Sequence, residues 1–271
     1  MVYIIPAMVA NPKTAKTANG GAGVVLMNEL GFTVVIPAHN EERYLEPCLR
    51  SILRAAELVK PSPVEMIVVA NRCTDRTEEI AENCGAKVLR NGEKCISAVR
   101  NTGVKAASFE IVVTIDADST MSEGALREIR DKLDSGLFLG GGTPVKFDRM
   151  SVGIFCSAVY VALHLIPIML KNKAALSGGM FWFRKRDFDA VGGFDESLVS
   201  LEDMDFATRL NALAKRRGKR FGTLKQSFIV TSSRKFDEFG DWYLICNRKL
   251  TKRIFTGTDR QAADAFYYDV R

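Results

Sequence analysis

The chain has 271 residues, of which 47% are hydrophobic, and it contains six cysteines and two histidines. This length suits one large domain or two small ones, and the composition excludes a disordered or fibrous chain as well as a His-rich zinc site. The net charge is +6, but residues 211–271 alone hold 14 Lys or Arg and 6 Asp or Glu, so the preceding part is near −2.

Residues 1–31 are predicted to form a flexible extension, because residues 11–23 are rich in Gly, Ala, Thr and Asn and lack periodicity. From Phe32 onward, short apolar runs alternate with segments of helical periodicity. The predicted strands are 32–36 (ended by Pro37), 64–70, 86–89 and 111–115, each followed by a predicted helix. This alternation, with short connections, predicts a doubly wound, mostly parallel α/β sheet.

The second half is less regular. Three glycines at 140–142 precede a predicted strand at 143–147, and residues 150–170 contain no charged side chain. That apolar run is long enough for a membrane span, but a single span would put Asp118 and Asp203 on opposite sides of the bilayer. Two interpretations remain, a buried helix or a helix lying on a membrane surface.

Polar clusters follow three predicted strands, at the carboxyl ends where α/β sheets bind ligands. They are Pro37-Ala38-His39-Asn40-Glu41-Glu42, Asn71-Arg72-Cys73-Thr74-Asp75 and Asp116-Ala117-Asp118. Two carboxylates one residue apart at a strand end can hold Mg²⁺ or Mn²⁺, which often bridges protein carboxylates to a diphosphate. An Asp pair that only caps a helix is the alternative.

Further motifs extend this series in a fixed order. Arg100-Asn101-x-Gly103 stands before the Asp pair, and Gly178-Gly179, Gly192-Gly193-Phe194-Asp195-Glu196 and Glu202-Asp203 follow it. The order and spacing resemble the family 2 glycosyltransferases with the GT-A fold. The resemblance covers about residues 32–210 and implies a nucleotide-binding N-terminal half and an acceptor-binding C-terminal half. Residues 211–271 are then a basic segment that packs on or extends the acceptor side.

The resemblance implies a nucleotide-sugar site made of strand-end loops and glycines, namely Pro37, His39, Asn40, Glu41, Asn71, Asp75, Lys94, Arg100, Asn101, Asp116, Ala117, Gly178 and Gly179. Asn71 stands where the family has an Asp that accepts a hydrogen bond from the base, which leaves the base open. Asp75 either bonds the base or caps its helix. Lys94 and Arg100 either approach the donor phosphates or are surface cations.

For catalysis, the resemblance implies that Asp118 binds Mn²⁺ or Mg²⁺ directly, with Asp116 near the ribose or reaching the ion through water. The downstream His ligand of some GT-A enzymes is missing or replaced, since no His follows His164. Inversion at the sugar needs a base on the attacking hydroxyl. Asp203 is the expected base, and Glu202 supports it or binds the acceptor. Trp182 is expected to contact the acceptor, with a core position as the alternative.

Together these features predict a metal-dependent glycosyltransferase of the hexosyltransferase type. It would move one sugar, with inversion, from a UDP- or GDP-type donor to a glycan, lipid-linked or small-molecule acceptor. The absence of CxxC pairs indicates a cytoplasmic site, either free or peripheral on the inner face of a membrane. A retaining GT-A transferase is the alternative within enzymes. A nucleic-acid-binding α/β protein is the alternative from another class, but nucleic acid is not expected because residues 211–271 match no RNA-binding signature.

Overall fold

The computed structural model describes residues 31–172, 178–198 and 200–254. The predicted extension lies outside the described residues apart from Gly31, as do residues 255–271 of the basic segment. The strands are β1 (Phe32–Ala38), β2 (Val64–Asn71), β3 (Lys87–Asn91), β4 (Ile111–Ile115), β5 (Ser119–Met121), β6 (Phe138–Thr143), β7 (Val145–Phe147), β8 (Gly178–Arg184), β9 (Arg220–Thr223) and β10 (Ile229–Thr231). The helices are α1 (Leu45–Glu57), α2 (Thr77–Asn83), α3 (Ile96–Lys105), α4 (Ala125–Asp134), α5 (Val152–Asn172), α6 (Lys185–Val191), α7 (Glu202–Arg216), α8 (Arg234–Phe239), α9 (Tyr243–Cys246) and α10 (Arg248–Ile254).

The strands form two sheets. The central sheet has seven strands in the order β3-β2-β1-β4-β8-β6-β9, and a smaller one has the order β5-β10-β7. β3, β2, β1 and β4 run parallel, whereas β8 runs antiparallel to both β4 and β6. The predicted doubly wound, mostly parallel α/β fold is therefore confirmed.

Hydrophobic side chains cover both faces of the central sheet, which explains why β1 and β4 are apolar apart from one threonine each, Thr33 and Thr114. On one face, α1 and α4 contribute Leu49 and Leu126 to a buried cluster. On the other, α3 and α7 contribute Val99 and Phe206 to a second buried cluster. The two helical layers hold the sheet rigidly, so the loops at its carboxyl edge start from fixed points.

Two strand boundaries differ from the sequence prediction. Pro37 lies inside β1 and aligns with Val69 of β2. The β1–β4 pairing ends at Val35, so the strand has an unpaired side beyond that point, where proline is tolerated. The glycines at 140–142 lie within β6 and do not precede the strand. Residue 141 must be small, because a Cβ at Gly141 would come within 2.3 Å of the Trp182 ring.

The C-terminal part continues the same fold. α7 spans the predicted boundary at residues 210 and 211, β9 pairs with β6 in the central sheet, and β10 joins the small sheet. Residues 211–254 therefore form part of the sheet framework. Across the described ranges, no helix combines the length and apolar content that a bilayer crossing requires.

Candidate active site

A cleft of about 430 Å³ opens at the carboxyl edge of the central sheet, within the range of roughly 300–1,000 Å³ typical of ligand sites. Strand-end residues line one side, namely Pro37, Ala38, His39, Glu41, Asn71, Asp116, Ala117 and Asp118. The start of β8 and of α7 contributes Gly179, Glu202 and Asp203. The remaining wall comes from β7, α5 and the segment from β10 to α8, and includes Phe147, Leu165, Thr231, Ser232, Lys235 and Phe236.

Arg100 joins the two acidic motifs at the centre of the cleft. Its guanidinium donates to Asp116 Oδ1 at 3.0 Å and to Glu202 Oε1 at 2.6 Å. Burial alone would lower the pKa of Arg100, but the carboxylates of Asp116 and Glu202 raise it, so this side chain remains charged. The predicted Asp pair and the predicted acceptor-side acids are thus brought into one site, although 102 residues separate Arg100 from Glu202.

Among the acids of this cluster, Asp203 has the most strongly shifted pKa. Burial raises its pKa to about 7, the neighbouring Glu202 adds to the increase, and Arg100 opposes it. The preceding residue, Leu201, has a φ of 61°, a left-handed conformation that is rare outside glycine. This turn starts α7 with both acids facing the cleft. A carboxyl group with such a pKa exchanges protons readily near neutral pH.

A second arginine, Arg234 at the start of α8, holds the other side of the site. It forms a two-pronged ion pair with Glu41, with both distances 2.7 Å, and contacts Asp118 Oδ2 at 2.9 Å. Tyr44 lies under its guanidinium at 4.8 Å. The Glu41 side chain is only 2% exposed, so its carboxylate is buried together with the guanidinium that pairs with it.

Asn71 and His39 form the part of the cleft at the ends of β1 and β2. The Asn71 amide nitrogen donates to the carbonyls of Asn91 and Glu93, each at 2.8 Å. His39 Nδ1 lies 2.6 Å from the Asn71 carbonyl, which can only accept, so Nδ1 carries the proton. With both amide hydrogens engaged, Asn71 presents its side-chain oxygen as the group for a ligand.

Several predicted site residues lie in the loops that support the cleft. Asp75 accepts hydrogen bonds from the Glu42 amide and from the amide of Thr77 at the start of α2, and its contact with a base stays a prediction. Asn40 Oδ1 accepts from the Thr74 amide at 2.8 Å. These bonds fix the β1 and β2 loops against each other. Neither Asn40 nor Asp75 lines the cleft.

Three further expectations need correction or a different placement. The Trp182 side chain is fully buried and donates from Nε1 to the Gly142 carbonyl, so the predicted acceptor contact is wrong and the core alternative holds. Asn101 points away from the cleft and binds the backbone of Phe194 and the carboxylate of Glu196. Lys94 is half-buried and is not part of the cleft wall.

The close approach of β8 to Asp116 explains why residue 179 is a glycine. A Cβ there would lie 3.1 Å from Asp116 Oδ2, so only glycine lets the strand pass this close to the carboxylate. Gly178 aligns with Thr143 of β6 in the adjoining pairing. The glycine pair therefore serves the close approach of β8 to the acidic cluster.

The acidic residues fit a divalent cation only together with a ligand. Among the described residues, no group of three or more His, Cys, Asp or Glu side chains is arranged to hold a metal ion. Asp116 and Asp118 each contact an arginine through one oxygen, and the second oxygen of Asp118 accepts a long hydrogen bond of 3.5 Å from the Ser119 hydroxyl. Because Mg²⁺ and Mn²⁺ sites commonly combine one or two carboxylates with substrate phosphates and water, this pair fits an ion completed by a diphosphate.

Sequence reasoning missed Arg234 as well as the cleft wall formed by Leu165, Phe147 and Phe236. Arg234 stood in a segment recognised only for its total positive charge. No periodicity or spacing marks a residue that meets its partner 193 positions away. The missing downstream His gave no such signal either, because it concerns a metal ligand and a protonated guanidinium cannot bind a cation.

Known proteins share this architecture. An uncharacterised glycosyltransferase of Mycobacterium tuberculosis is 36% identical over 110 residues, covering 41% of this chain and 47% of that protein. The chain thus spans about half the length of the curated relatives it matches first. S. aureus TarS 1–349 in complex with UDP-GlcNAc has a TM-score of 0.57 at 18% identity, covering 89% of this chain and 71% of that one.

A second solved structure is glucosyl-3-phosphoglycerate synthase from Mycobacterium tuberculosis in complex with Mn²⁺, UDP and phosphoglyceric acid. Its TM-score is 0.53 at 18% identity, and the match covers 87% of this chain and 82% of that one. At these identities the structural likeness shows the GT-A fold. The family model described as "Glycosyl transferase family 2" matches residues 33–192, more than half of the sequence. The chain therefore belongs to glycosyl transferase family 2.

Proposed function

We propose that the protein transfers a single sugar from a nucleoside-diphosphate sugar to an acceptor hydroxyl, with inversion, and that Asp203 is the general base. The observation that carries this proposal is the position of Asp203 in the cleft, at the start of α7 next to Glu202. Asp116 and Asp118 lie in the same site. Burial also raises the pKa of Asp203 to about 7. A base works best when its pKa is close to the working pH. Arg100 holds Glu202 at 2.6 Å, next to Asp203. In this position Glu202 raises the pKa of Asp203 and so favours proton uptake by it.

The donor site lies at the ends of β1, β2 and β4. Asn71 offers a hydrogen-bond acceptor, which matches a base with a ring N–H, as in uracil and guanine. Cytosine has an acceptor nitrogen at that position and does not match. TarS was solved with UDP-GlcNAc and the synthase with UDP, which supports a UDP- or GDP-type donor for this chain.

We assign the divalent cation, Mn²⁺ or Mg²⁺, to Asp118 and Asp116. The synthase structure contains Mn²⁺, and each of the two carboxylates here contacts an arginine through one oxygen only. When bound, such an ion neutralises the charge that develops on the leaving diphosphate. Arg234 orients Asp118, and Arg100 orients Asp116.

The acceptor enters from the side of Asp203. Phe147, Leu165 and Phe236 give this wall an apolar surface next to Lys235 and Ser232. A glycan, a lipid-linked sugar or a small molecule can present a hydroxyl to the base in this position. We place the reaction in the cytoplasm because all six cysteines are free thiols, as reducing compartments maintain them.

The first test is thermal unfolding of the full chain with UDP, GDP, CDP and dTDP, each with and without Mn²⁺. We expect UDP or GDP to raise the midpoint in a metal-dependent manner, and CDP to raise it least. The Asp118→Asn variant should lose the metal-dependent part of the shift and keep its own midpoint without ligand. Absence of a shift with every diphosphate would contradict the donor site.

The stereochemical proposal needs a separate measurement. Once a donor is known, NMR of the newly formed glycosidic bond gives the anomeric configuration of the product. Inversion together with loss of transfer in Asp203→Asn supports the assigned base. Retention of configuration would overturn both the mechanism and the role of Asp203, while leaving the donor site intact.

A further inference from the structure

Helix α5 exposes an apolar face. Between residues 152 and 166, every exposed side chain is apolar, and the set consists of Val152, Phe155, Val159, Ala162, Leu163 and Ile166. The large members are 41–74% exposed. Their spacing of three or four residues places them along one side of the helix. A surface helix of a water-soluble domain normally carries charged and polar residues on this side.

The opposite side of α5 already has its partners. Ile154 is fully buried, and Ser157 Oγ donates to the Asp241 carbonyl at 2.6 Å. Leu165 reaches the wall of the cleft. The exposed apolar face is therefore a second apolar surface on the same helix, separate from the one that packs on the domain.

The region beside this face has the composition of a membrane interface. Trp242 lies against the backbone of Gly153 and is 49% exposed. Residues 242–254 contain four Lys or Arg and no Asp or Glu, and α9 in this segment contacts both α5 and α10. Arg248 and Lys249 are exposed at the start of α10. Tryptophan favours the boundary between apolar and aqueous phases, and basic side chains favour anionic lipid headgroups.

We propose that the exposed face of α5, together with Trp242 and the basic start of α10, lies on an anionic membrane surface. Lipid matches both features, since the acyl region accepts the apolar side chains and the headgroups accept the positive charge. A second copy of the chain matches less well. A symmetric dimer through this face would bring Arg248 and Lys249 close to their own counterparts.

This surface also bears on the acceptor. Because Leu165 lines the cleft on the same helix whose outer face meets the membrane, the cleft opens beside the lipid surface. The acceptor is then a lipid-linked molecule, an inference that rests on the proposed function. Membrane binding itself needs neither donor nor acceptor and can be measured independently.

The test is sedimentation of the full chain with vesicles, without any nucleotide sugar. One set of vesicles contains phosphatidylcholine alone, and the other contains equal parts of phosphatidylcholine and phosphatidylglycerol. We expect sedimentation with the anionic vesicles. The double variant Phe155→Glu/Leu163→Glu should reduce the bound fraction at least about tenfold. Arg248→Glu and Lys249→Glu should each reduce affinity by about fivefold or more, and the remaining binding should depend less on salt because fewer charge contacts are left to screen.

The matched control is Leu53→Glu/Leu137→Glu, which introduces the same charges at two exposed leucines on other parts of the surface. It should bind vesicles as the unaltered chain does. Circular dichroism and the unfolding midpoint verify that each variant is folded. Equal vesicle binding by the α5 variant and the control would overturn the proposal.

Two other results would also overturn it. One is the absence of sedimentation with either vesicle type. The other is a dimer in light scattering that the α5 variant alone converts to a monomer, without any change in vesicle binding. The diphosphate-induced unfolding shift, measured on the same variants, reports on the donor site. It therefore separates a failure of the membrane surface from a failure of the proposed function.

Discussion

The two sides of the cleft are built in different ways. On the donor side, the functional groups follow directly from β1, β2 and β4, and short bonds between neighbouring loops fix them, such as Glu41 N–H to Thr77 Oγ1 at 2.8 Å. On the acceptor side, the groups come from α5, α7 and the β10–α8 connection. Arg234 joins the two sides through Glu41 and Asp118.

The two sides therefore differ in what determines the positions of their functional groups. The donor side inherits its geometry from buried strands, so a single loop substitution leaves most of it in place. The acceptor side depends on contacts between distant segments, so it is sensitive to the loss of one connecting residue. Variants on the acceptor side, at the junction and in the core therefore test this contrast.

The largest effect is expected at Asp203. Asp203→Asn removes the base while preserving size and the Met204 amide contact, and should lower kcat by about 10²–10⁴-fold. Donor binding, measured by the diphosphate-induced unfolding shift, should remain unchanged. Glu202→Gln is the comparison, since it removes a neighbouring charge without removing the base. Substantial transfer by Asp203→Asn would contradict the assignment.

The pH dependence gives a second readout for the same residue. Transfer should rise with pH up to about 7 and then level off, because the base must be deprotonated. The pKa of Asp203 is higher in the folded protein than in the unfolded chain, so the protonated form favours folding. This contribution is lost as pH rises through about 7. Asp203→Asn should therefore raise the unfolding midpoint above neutral pH and leave it unchanged in acid.

Arg234 is expected to have the next largest effect, at the junction of the two sides. Arg234→Met leaves the buried Glu41 carboxylate without its ion-pair partner and should lower the free energy of unfolding by about 3–5 kcal/mol. Denaturant unfolding measures this value. The double variant Glu41→Gln/Arg234→Met should recover part of the loss, since Glu41, the more buried of the two carboxylates that Arg234 contacts, is then neutral.

A matched control for Arg234 exists in the same region. Arg149 also contacts two carboxylates, those of Asp237 and Asp241, but it is 43% exposed. Arg149→Met should therefore leave the free energy of unfolding nearly unchanged, because solvent-exposed ion pairs contribute little to stability. Equal effects of Arg149→Met and Arg234→Met would mean that Arg234 is an ordinary surface cation, and the junction would lose its role.

The contrast also explains what could be predicted from the sequence. β1 and β4 are mostly apolar runs followed by polar loops, so their position and the grouping of Glu41, Asn71 and Asp118 at one edge follow from local patterns and sheet geometry. The motif order then connected Arg100 and Glu202 to the same site. These features can be predicted without knowing any contact between distant residues other than the pairing of the parallel strands.

The remaining features depend on tertiary packing. Arg234 becomes important only because α8 places it over Glu41, and Phe236 lines the cleft only because β10 pairs with β5 and β7. Trp182 shows the opposite case. An aromatic residue after a glycine pair matched a sugar-binding platform in sequence, yet β8 lies in the middle of the central sheet and buries it.

The smallest expected effect on transfer activity is that of Trp182→Phe, which tests whether Trp182 belongs to the core. Trp182→Phe removes the hydrogen bond from Nε1 to the Gly142 carbonyl, which is 2.9 Å long, and leaves space beside Phe138. The free energy of unfolding should fall by about 1–3 kcal/mol. The KM values for donor and acceptor should stay within about twofold, since the side chain does not reach the cleft.

Phe236→Leu provides the contrasting aromatic variant, because Phe236 lines the acceptor wall. It should raise the KM for the acceptor and leave the KM for the donor unchanged, with a smaller loss of stability than Trp182→Phe. A rise in acceptor KM for Trp182→Phe at unchanged stability would reverse the assignment of the two aromatics. Because only one of them borders the cleft, the ratio of the two acceptor KM values distinguishes core packing from ligand contact.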